Sequence, residues 1–301
     1  MAFSMSLDLV GADGCLISLI APDIVNSAQA TRDFNRLLKL TTDTDESHGF
    51  ACPPIAGAIS FNDVSFSYPE QPDIPILKNL SVNIKQGESV AIVGSSGSGK
   101  STMAHLLQRL YEPTSGTITV GPWSLNYIDV RHLRNHVTVV SQNPHLIGAT
   151  VSENIAYGIH GLAHADIERA AVLANVHKFI ESLPRGYASP IDENAALISG
   201  GQAQRMQIAR ALVRPAAILV IDECTSALDG MNQADVLKTV LGARAGLTTI
   251  IITHKLPIMR MCDRILVMRE GRIAEQGTFE DLIAKKGVFV QLASDGEWTG
   301  G

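Results

Sequence analysis

Short apolar runs recur along the chain after residue 58, and their patterns are those of β-strands. "ISFNDVSFSY" (59–68) alternates apolar and polar positions, and the alternation slips at Asn62–Asp63, which predicts a bulge or a turn. "LSVNI" (80–84) alternates in the same way. Four further runs are continuously apolar, as in strands buried on both faces: "SVAIV" (89–93), "AAILVID" (216–222), "TTIIIT" (248–253) and "RILVM" (264–268).

Helical patterns separate the continuous runs. "MNQADVLKTVLGAR" (231–244) lies between two of them, and buried strands that alternate with helices predict an α/β fold with a mostly parallel sheet. Residues 165–183 and 202–213 have helical spacing with no strand pattern between them, which predicts a helical insert. Near the end, Thr278 with Asp281 three residues later predicts a capped helix start.

The first 57 residues have a different pattern. Residues 24–40 have apolar positions at roughly helical spacing, and the polar, turn-rich stretch 41–57 predicts a linker. The apolar stretch "CLISLIAP" (15–22) is shorter than the roughly 18–20 residues that a membrane-spanning helix needs. Two interpretations stay open for it: a partly buried helix, or the tail of a transmembrane helix whose beginning is missing.

Composition narrows the function classes. The chain has 301 residues, of which 46% are hydrophobic and 18% charged, a balance typical of globular proteins. Its net charge is -6 and it has no Lys/Arg-rich run, which argues against a nucleic-acid surface. The four cysteines are scattered without C-x-x-C spacing, so we interpret them as reduced thiols and not as a disulfide or zinc framework.

A phosphate-binding loop follows the strand at 89–93. "GSSGSGKST" (94–102) fits G-x-x-x-x-G-K-[ST], and the helical stretch "MAHLLQRL" comes directly after it. Glycines let the backbone N–H groups face phosphates, Lys100 would reach the β- and γ-phosphates, and the Ser101 hydroxyl would ligate Mg²⁺. A flexible Gly/Ser linker is the alternative, but a linker would not lie between an apolar strand and an amphipathic helix.

An acidic pair ends another buried strand. In "ILVIDE" (218–223), Asp222 can hold the Mg²⁺ shell and Glu223 can polarise an attacking water. A solvated strand end is the ordinary interpretation of such a pair, and the phosphate loop in the same chain argues against it.

A second glycine-rich stretch, "ISGGQAQR" (198–205), opens a helical pattern. Ser199 can cap the helix, while Gly200 and Gly201 let a phosphate approach the N–H groups of the first turn. Taken alone, these residues favour a plain helix cap over a phosphate site.

The order of these motifs resembles the nucleotide-binding domain of ATP-binding cassette (ABC) transporters over residues 58–292, most closely that of B-type exporters. The resemblance rests on several stretches: "FSYP" with Tyr68, "GSSGSGKST", "VVSQNP" with Gln142, "TVSENIAYG" (150–158), "ISGGQ", "ILVIDE", "SALD" (226–229) and "IITHKL" with His254. Small departures from the family pattern include Ile198, Asn143, Cys224 and "IDENAA" (191–196).

The resemblance implies a P-loop NTPase fold: a RecA-like, mostly parallel sheet, an antiparallel β portion, and a helical subdomain at about residues 143–214. It implies that residues 1–40 form a short helical segment like the end of a last transmembrane helix. Residues 41–57 would be a linker and residues 293–301 a tail.

The resemblance also implies ATP and Mg²⁺ as ligands. The catalytic residues would be Glu223, His254 and Gln142, and the metal would be held by Ser101, Gln142 and Asp222. The nucleotide would be bound by Tyr68, Gly94, Ser95, Ser96, Gly97, Ser98, Gly99, Lys100, Ser101, Thr102, Ser199, Gly200, Gly201, Gln202 and Asp229. Outside these motifs, His105, His132 and His136 are expected to be ordinary surface or core residues.

The implied partners are a second nucleotide-binding domain, which pairs head to tail around ATP, and the transmembrane domain of a transporter. The implied place is a membrane, with the ATPase domain on its cytoplasmic side. The alternative is a soluble ABC ATPase outside transport. A basic surface or a long coiled coil between the phosphate loop and "ISGGQ" would indicate it, and the sequence has neither.

Overall fold

The computed structural model describes residues 49–191, 198–222, 230–296 and 298. Its strands are β1 Ile59–Phe66, β2 Leu77–Ile84, β3 Ser89–Gly94, β4 Ser115–Val120, β5 Trp123–Ser124, β6 Val137–Val140, β7 Ala149–Thr150, β8 Pro190–Ile191, β9 Ile218–Asp222, β10 Thr248–Ile252, β11 Arg264–Arg269 and β12 Arg272–Gly277. Its helices are α1 Lys100–Leu107, α2 Val130–His136, α3 Val151–Ile155, α4 His164–Leu173, α5 His177–Ser182, α6 Gly200–Leu212, α7 Gly230–Ala243, α8 Leu256–Met259, α9 Phe279–Lys285 and α10 Val288–Ser294. Two 3₁₀ turns lie at Leu125–Tyr127 and Gly186–Ala188.

The larger sheet has six strands in the order β12-β11-β3-β10-β9-β6. All neighbours in it are parallel except β11 and β12, which form an antiparallel pair at one edge. Its central strands are buried on both faces, as the continuous apolar runs predict. The α/β fold with a mostly parallel sheet is therefore confirmed.

A second, antiparallel sheet has the strand order β2-β1-β4-β5. The pairing of β1 with β2 shifts between Phe61 and Val64, and Asp63 has a φ of 48°. The extra residue at this point forms the bulge that the broken alternation predicts, and it restores the buried face from Val64 onward.

Helices α3 to α6 fill the stretch between β6 and β9, where the sequence predicts a helical insert. The prediction of no strand there is wrong, because β7 and β8 form a two-stranded antiparallel ladder. Two-residue strands are too short to give a periodic pattern. The helical pattern at 165–183 also splits into α4 and α5, since Asn175 takes a φ of 54° between them.

Both ends of the described chain pack against the domain. Ile55, within the predicted linker, is buried in the core under the antiparallel sheet, and Ala51 forms a bridge with Ile128. In the predicted tail, the Trp298 indole is buried and its Nε1 donates to the carbonyl oxygen of Phe289 at 3.1 Å.

Within the described residues, none of the helices combines the length and the apolar character that crossing a bilayer requires. The predicted helical segment at 1–40 lies outside those residues.

Candidate functional site

The phosphate loop joins the end of β3 to the start of α1, as the sequence predicts. Gly94, Gly97 and Gly99 have φ values of 153°, 76° and 99°, which side chains rarely allow. A side chain at Gly94 would also collide with the carbonyl oxygen of Met268 on the neighbouring strand. The glycines therefore allow a tight curl of backbone whose N–H groups can converge on one point.

Lys100 is the first residue of α1, and its side chain turns back over the loop. Its Nζ donates to the carbonyl oxygens of Gly94 at 2.8 Å and Ser95 at 2.9 Å. The Ser98 hydroxyl is buried and, among the described residues, has no hydrogen-bond partner. A positive charge and an unused hydroxyl at a curled N–H loop fit a phosphate chain.

A cleft of about 450 Å³ opens above the loop, a size suited to a small ligand. It brings together residues that lie far apart in the sequence. The lining consists of Tyr68, Ile76, Gly94, Ser96, Gly97, Gly99, Lys100, Ser101, Thr102, Gln142 and His254.

Tyr68 forms one wall of the cleft. Its ring packs edge-on against Phe66 and Tyr111, with centroids 4.9 Å and 5.1 Å away. Its hydroxyl lies 3.0 Å from Thr102 Oγ1 and 3.2 Å from His105 Nδ1. The ring is thus held at both its edge and its tip, and a fixed, half-buried aromatic ring can stack on a planar base.

His105 is expected from the sequence to be an ordinary surface or core residue. In the structure it contacts Tyr68 and so helps to hold this wall of the cleft. Burial lowers the pKa of His105, and the charge of Asp222 partly offsets that effect. The neutral imidazole can exchange a hydrogen bond with the Tyr68 hydroxyl. His105 lies one helical turn after Ser101 on α1. No pattern in the sequence indicated that its side chain would contact Tyr68.

His132 and His136 fit the expectation of ordinary residues. Their rings stack with centroids 4.5 Å apart, and His132 Nε2 lies 2.7 Å from the carbonyl oxygen of Pro53.

The acid expected to hold a metal sits at the carboxyl end of the parallel sheet. Asp222 is the last residue of β9 and pairs in register with Ile252 of β10, two residues before His254. Glu223 and Asp229 lie outside the described residues. Within the part of the chain that is described, no group of three or more His, Cys, Asp or Glu side chains could by itself hold a metal.

The second glycine-rich stretch forms the start of α6. Ser199 is the N-cap, and its hydroxyl accepts from the Gln202 N–H at 3.3 Å. The Gln202 side chain in turn accepts from the Ser199 N–H at 2.9 Å, which completes a capping box. Ser199 and Gly200 are exposed. Among the described residues, the cleft lining includes none of residues 198–202.

Helix α6 nevertheless contacts the Gln142 loop. Gln204 is fully buried, and its Nε2 donates to the carbonyl oxygen of Gln142 at 3.4 Å. Gln207 Nε2 donates to the Ser141 hydroxyl at 2.9 Å. These bonds join α6 to the loop that contributes Gln142 to the cleft wall.

Fold and cleft together define a P-loop nucleotide-binding protein, because a curled glycine loop with its lysine and a strand-end aspartate both lie at the carboxyl end of a parallel sheet. The family profile described as "ABC transporter" matches residues 77–226. The chain belongs to the ABC transporter family and contains its nucleotide-binding domain, of the kind found in B-type exporters.

Among its relatives is human "ATP-binding cassette sub-family B member 5", 44% identical over 254 residues, covering 84% of this chain and 20% of the relative. The "ATP-dependent lipid A-core flippase" of Chromobacterium violaceum is 44% identical over 244 residues, covering 81% of this chain and 42% of the flippase.

A solved structure of a bacterial Atm1-family ABC exporter with ATP bound is 33% identical and superposes with a TM-score of 0.85, covering 94% of this chain and 49% of that one. The chain thus spans half or less of the length of these proteins.

Proposed function

We propose that this chain binds and hydrolyses ATP, and that it does so as the energy-converting domain of an exporter. The observation that carries the proposal is the cleft in which Tyr68, the phosphate loop, Gln142 and His254 face one another. A base-stacking ring lies at one side and phosphate-binding groups at the other, as a nucleoside triphosphate requires.

In this proposal, different residues of the cleft bind the adenine and the phosphates. Tyr68 stacks on the adenine, and the N–H groups between Gly94 and Thr102 hold the phosphates. Lys100 already lies over the loop, at 2.8 Å from the Gly94 carbonyl oxygen. In the complex, β- and γ-phosphate oxygens would replace carbonyl oxygens as acceptors for its ammonium group.

The residues near the loop also fit a Mg²⁺ ion. Ser101, Gln142 and Asp222 offer a hydroxyl, an amide and a carboxylate, which are the oxygen ligands that Mg²⁺ prefers. A metal held there would supply charge neutralisation on the transferring phosphoryl group. Phosphate oxygens and water would supply its other ligands.

Glu223 follows Asp222 directly, and we assign to it the role of general base that orients and polarises the attacking water. His254 lines the cleft, and we assign to it a hydrogen bond to the γ-phosphate. Gln142 links the metal site to α6 through its backbone carbonyl oxygen.

The start of α6 serves, in this proposal, the nucleotide of a second domain. Gly200 and Gly201 present first-turn N–H groups, which lack backbone partners within the helix and attract anions, and Ser199 presents its hydroxyl beside them. Ser199 and Gly200 are exposed, so a partner's γ-phosphate can reach them. ATP then bridges two domains paired head to tail, and binding energy drives closure by mass action.

Transport is favoured over a soluble, non-transport role by the exporter relatives. We therefore propose that the partner is the transmembrane domain of an exporter, and that this domain lies at the cytoplasmic face of a membrane. The segment "TVSENIAYG" (150–158), which forms α3 and its flanks, is the proposed contact.

The test is ATP turnover by the purified chain, with and without Mg²⁺, as a function of protein concentration. Head-to-tail pairing requires a specific activity that rises with concentration, because only dimers contain complete sites. Activity per chain that does not depend on concentration down to the nanomolar range would contradict the paired site.

A further inference from the structure

A second cavity lies beside α6 and shares no lining residue with the nucleotide cleft. Its volume is about 220 Å³, enough for one phosphate-sized group. Its walls come from edge strand β6, from the C-terminal ends of α1 and α2, and from the C-terminal half of α6. Among the described residues, the lining includes Arg134, Arg210 and Arg214 and no Asp or Glu.

Neutral oxygens anchor Arg210 and Arg214, as they do Arg134. Arg210 donates to the carbonyl oxygens of His145 at 2.8 Å and Asn154 at 2.7 Å, and to Asn154 Oδ1 at 2.9 Å. Arg214 donates to the carbonyl oxygen of Tyr157 at 2.7 Å. These bonds fix the position of each guanidinium and leave other N–H groups on each of the two forks.

Arg210 and Arg214 bring two positive charges to the cavity. Within the described residues, neither guanidinium has a carboxylate oxygen within 4 Å. Burial lowers the pKa of Arg210; Tyr157 opposes that effect, and the charge of Arg214 adds to it. Partly buried like charges without a counter-charge are unfavourable, so an anion that enters the cavity removes that cost.

The cavity wall also contains two polar atoms that need partners. Thr138 Oγ1 and Gln207 Oε1 are buried and, in the described part of the chain, make no hydrogen bond. Both residues line the cavity, and they are only 8% and 9% exposed. A buried hydroxyl without a partner costs folding free energy. Its hydrogen can rotate toward an acceptor in the cavity.

We propose that this cavity binds one oxyanion, a phosphate or a carboxylate group, held by the guanidinium groups of Arg210 and Arg214 and by the Thr138 hydroxyl. Planar guanidinium groups bind such oxygens through paired hydrogen bonds, which gives the site its chemical selectivity. The site goes beyond the proposed ATPase activity, because none of these three residues lines the nucleotide cleft.

The position of this cavity connects it to the nucleotide cleft through α6. The anion would bind to the same helix that begins at Ser199, and Gln207 on that helix bonds to Ser141, next to Gln142. An occupant would therefore hold α6 and the Gln142 loop in one arrangement.

The experiment is thermal unfolding of the purified chain, titrated with sodium phosphate or sodium acetate at constant ionic strength. The phosphate loop also binds phosphate, so the signal of this cavity is the difference between the wild type and cavity variants. A larger saturable stabilisation by phosphate indicates a phosphate site, and a larger one by acetate indicates a site for an acidic side chain.

Thr138→Val keeps the volume of the side chain and removes only the hydroxyl. We expect it to raise Tm by about 2–4 °C without anion, because a buried unsatisfied group is removed. We also expect it to weaken the anion affinity of the cavity about tenfold, as loss of a hydrogen bond to a charged group does.

Arg214→Gln should weaken the affinity of the cavity tenfold or more. Arg169→Gln makes the same charge change on an exposed side chain and should leave it unaltered. Equal anion-dependent stabilisation of the wild type, Thr138→Val and Arg214→Gln would place all anion binding elsewhere and overturn the proposal. Lack of any saturable effect in the wild type would overturn it as well.

Discussion

Two glycine-rich helix starts, at Gly99 and at Ser199, present backbone N–H groups in this chain, and they are built in opposite ways. At the first, three glycines with φ between 76° and 153° curl the loop, and Lys100 folds back over it. At the second, Gly200 and Gly201 lie in regular helix, and a side-chain capping box satisfies the helix end.

The difference teaches how each site is completed. The first lies in a cleft that Tyr68, Gln142 and His254 of the same chain also line. The second is exposed at Ser199 and Gly200, and its capping box is formed by Ser199 and Gln202 of the same helix. A helix start that is capped and exposed can bind a ligand held by another molecule.

The largest effect is expected from Glu223→Gln, which keeps the shape of the side chain and removes the base. ATP turnover should fall about 10²-fold or more, since general base catalysis contributes about 10²–10⁴. ATP affinity, measured by equilibrium binding, should persist. Turnover near that of the wild type would remove Glu223 from the mechanism and leave the first site without a base.

Gly200→Asp separates the two sites. Gly200 is exposed, so the new carboxylate fits the chain itself but repels a partner's γ-phosphate. In the Glu223→Gln background, sedimentation should show ATP-driven dimers for chains that keep Gly200 and none for chains that carry Gly200→Asp.

The monomer's ATP affinity should stay within about twofold of that of the parent, as expected when no lining residue of the cleft changes. Loss of ATP binding by the Gly200→Asp monomer would mean that both glycine-rich starts serve one nucleotide.

Lys100→Ala should weaken ATP binding by the monomer tenfold or more, because the charge that faces the phosphates is removed. Lys238→Ala is the matched control, since Lys238 is exposed on α7. Equal ATP affinities for the two variants would count against the proposed role of Lys100.

Tyr68→Ala should weaken ATP about tenfold, as base stacking on an aromatic side chain is worth about 1–3 kcal/mol. Tyr68→Phe keeps the ring and loses the hydroxyl bonds to Thr102 and His105, so its effect should be under about threefold. If Phe is as damaging as Ala, positioning through the hydroxyl, and not stacking, dominates.

The smallest effect concerns the cap. Ser199→Ala should lower stability by about 1 kcal/mol, or about 2–4 °C in Tm. Thr278→Ala is the matched control, because Thr278 makes the same capping box with Asp281 at α9. Both should lose similar stability, but only Ser199→Ala should weaken ATP-driven dimers. Equal dimerisation of the two variants would leave Ser199 as a cap alone.

Much of the fold could be predicted from local patterns. The bulge at Asp63, the buried strands and the cap at Thr278 follow from the spacing of a few neighbouring residues. The ladder of β7 and β8 could not be predicted, because its two-residue strands are defined only by each other. Burial of Trp298 also depends on a distant partner, Phe289 and its surroundings, and not on its own neighbours.

The candidate site divides in the same way. Motif spacing indicated Lys100, and the resemblance to the ABC family implied Tyr68, Gln142 and His254. All four line the cleft. No sequence pattern indicated that His105 supports Tyr68, since the two are 37 positions apart. The roles assigned to Glu223 and Asp229 stay predictions, because both lie outside the described residues.

By itself, the sequence determined the chemistry that a short stretch of chain can carry: a glycine loop before a lysine, an acid after a strand, a cap before a helix. These depend on backbone conformations and spacings within a few residues. The tertiary structure alone decided which stretches share a cleft and which do not. It joined His105 to Tyr68, kept Ser199 out of the cleft, and placed Arg210 beside Arg214 and the Thr138 wall. Such pairings depend on sheet order and helix packing, which no local pattern specifies.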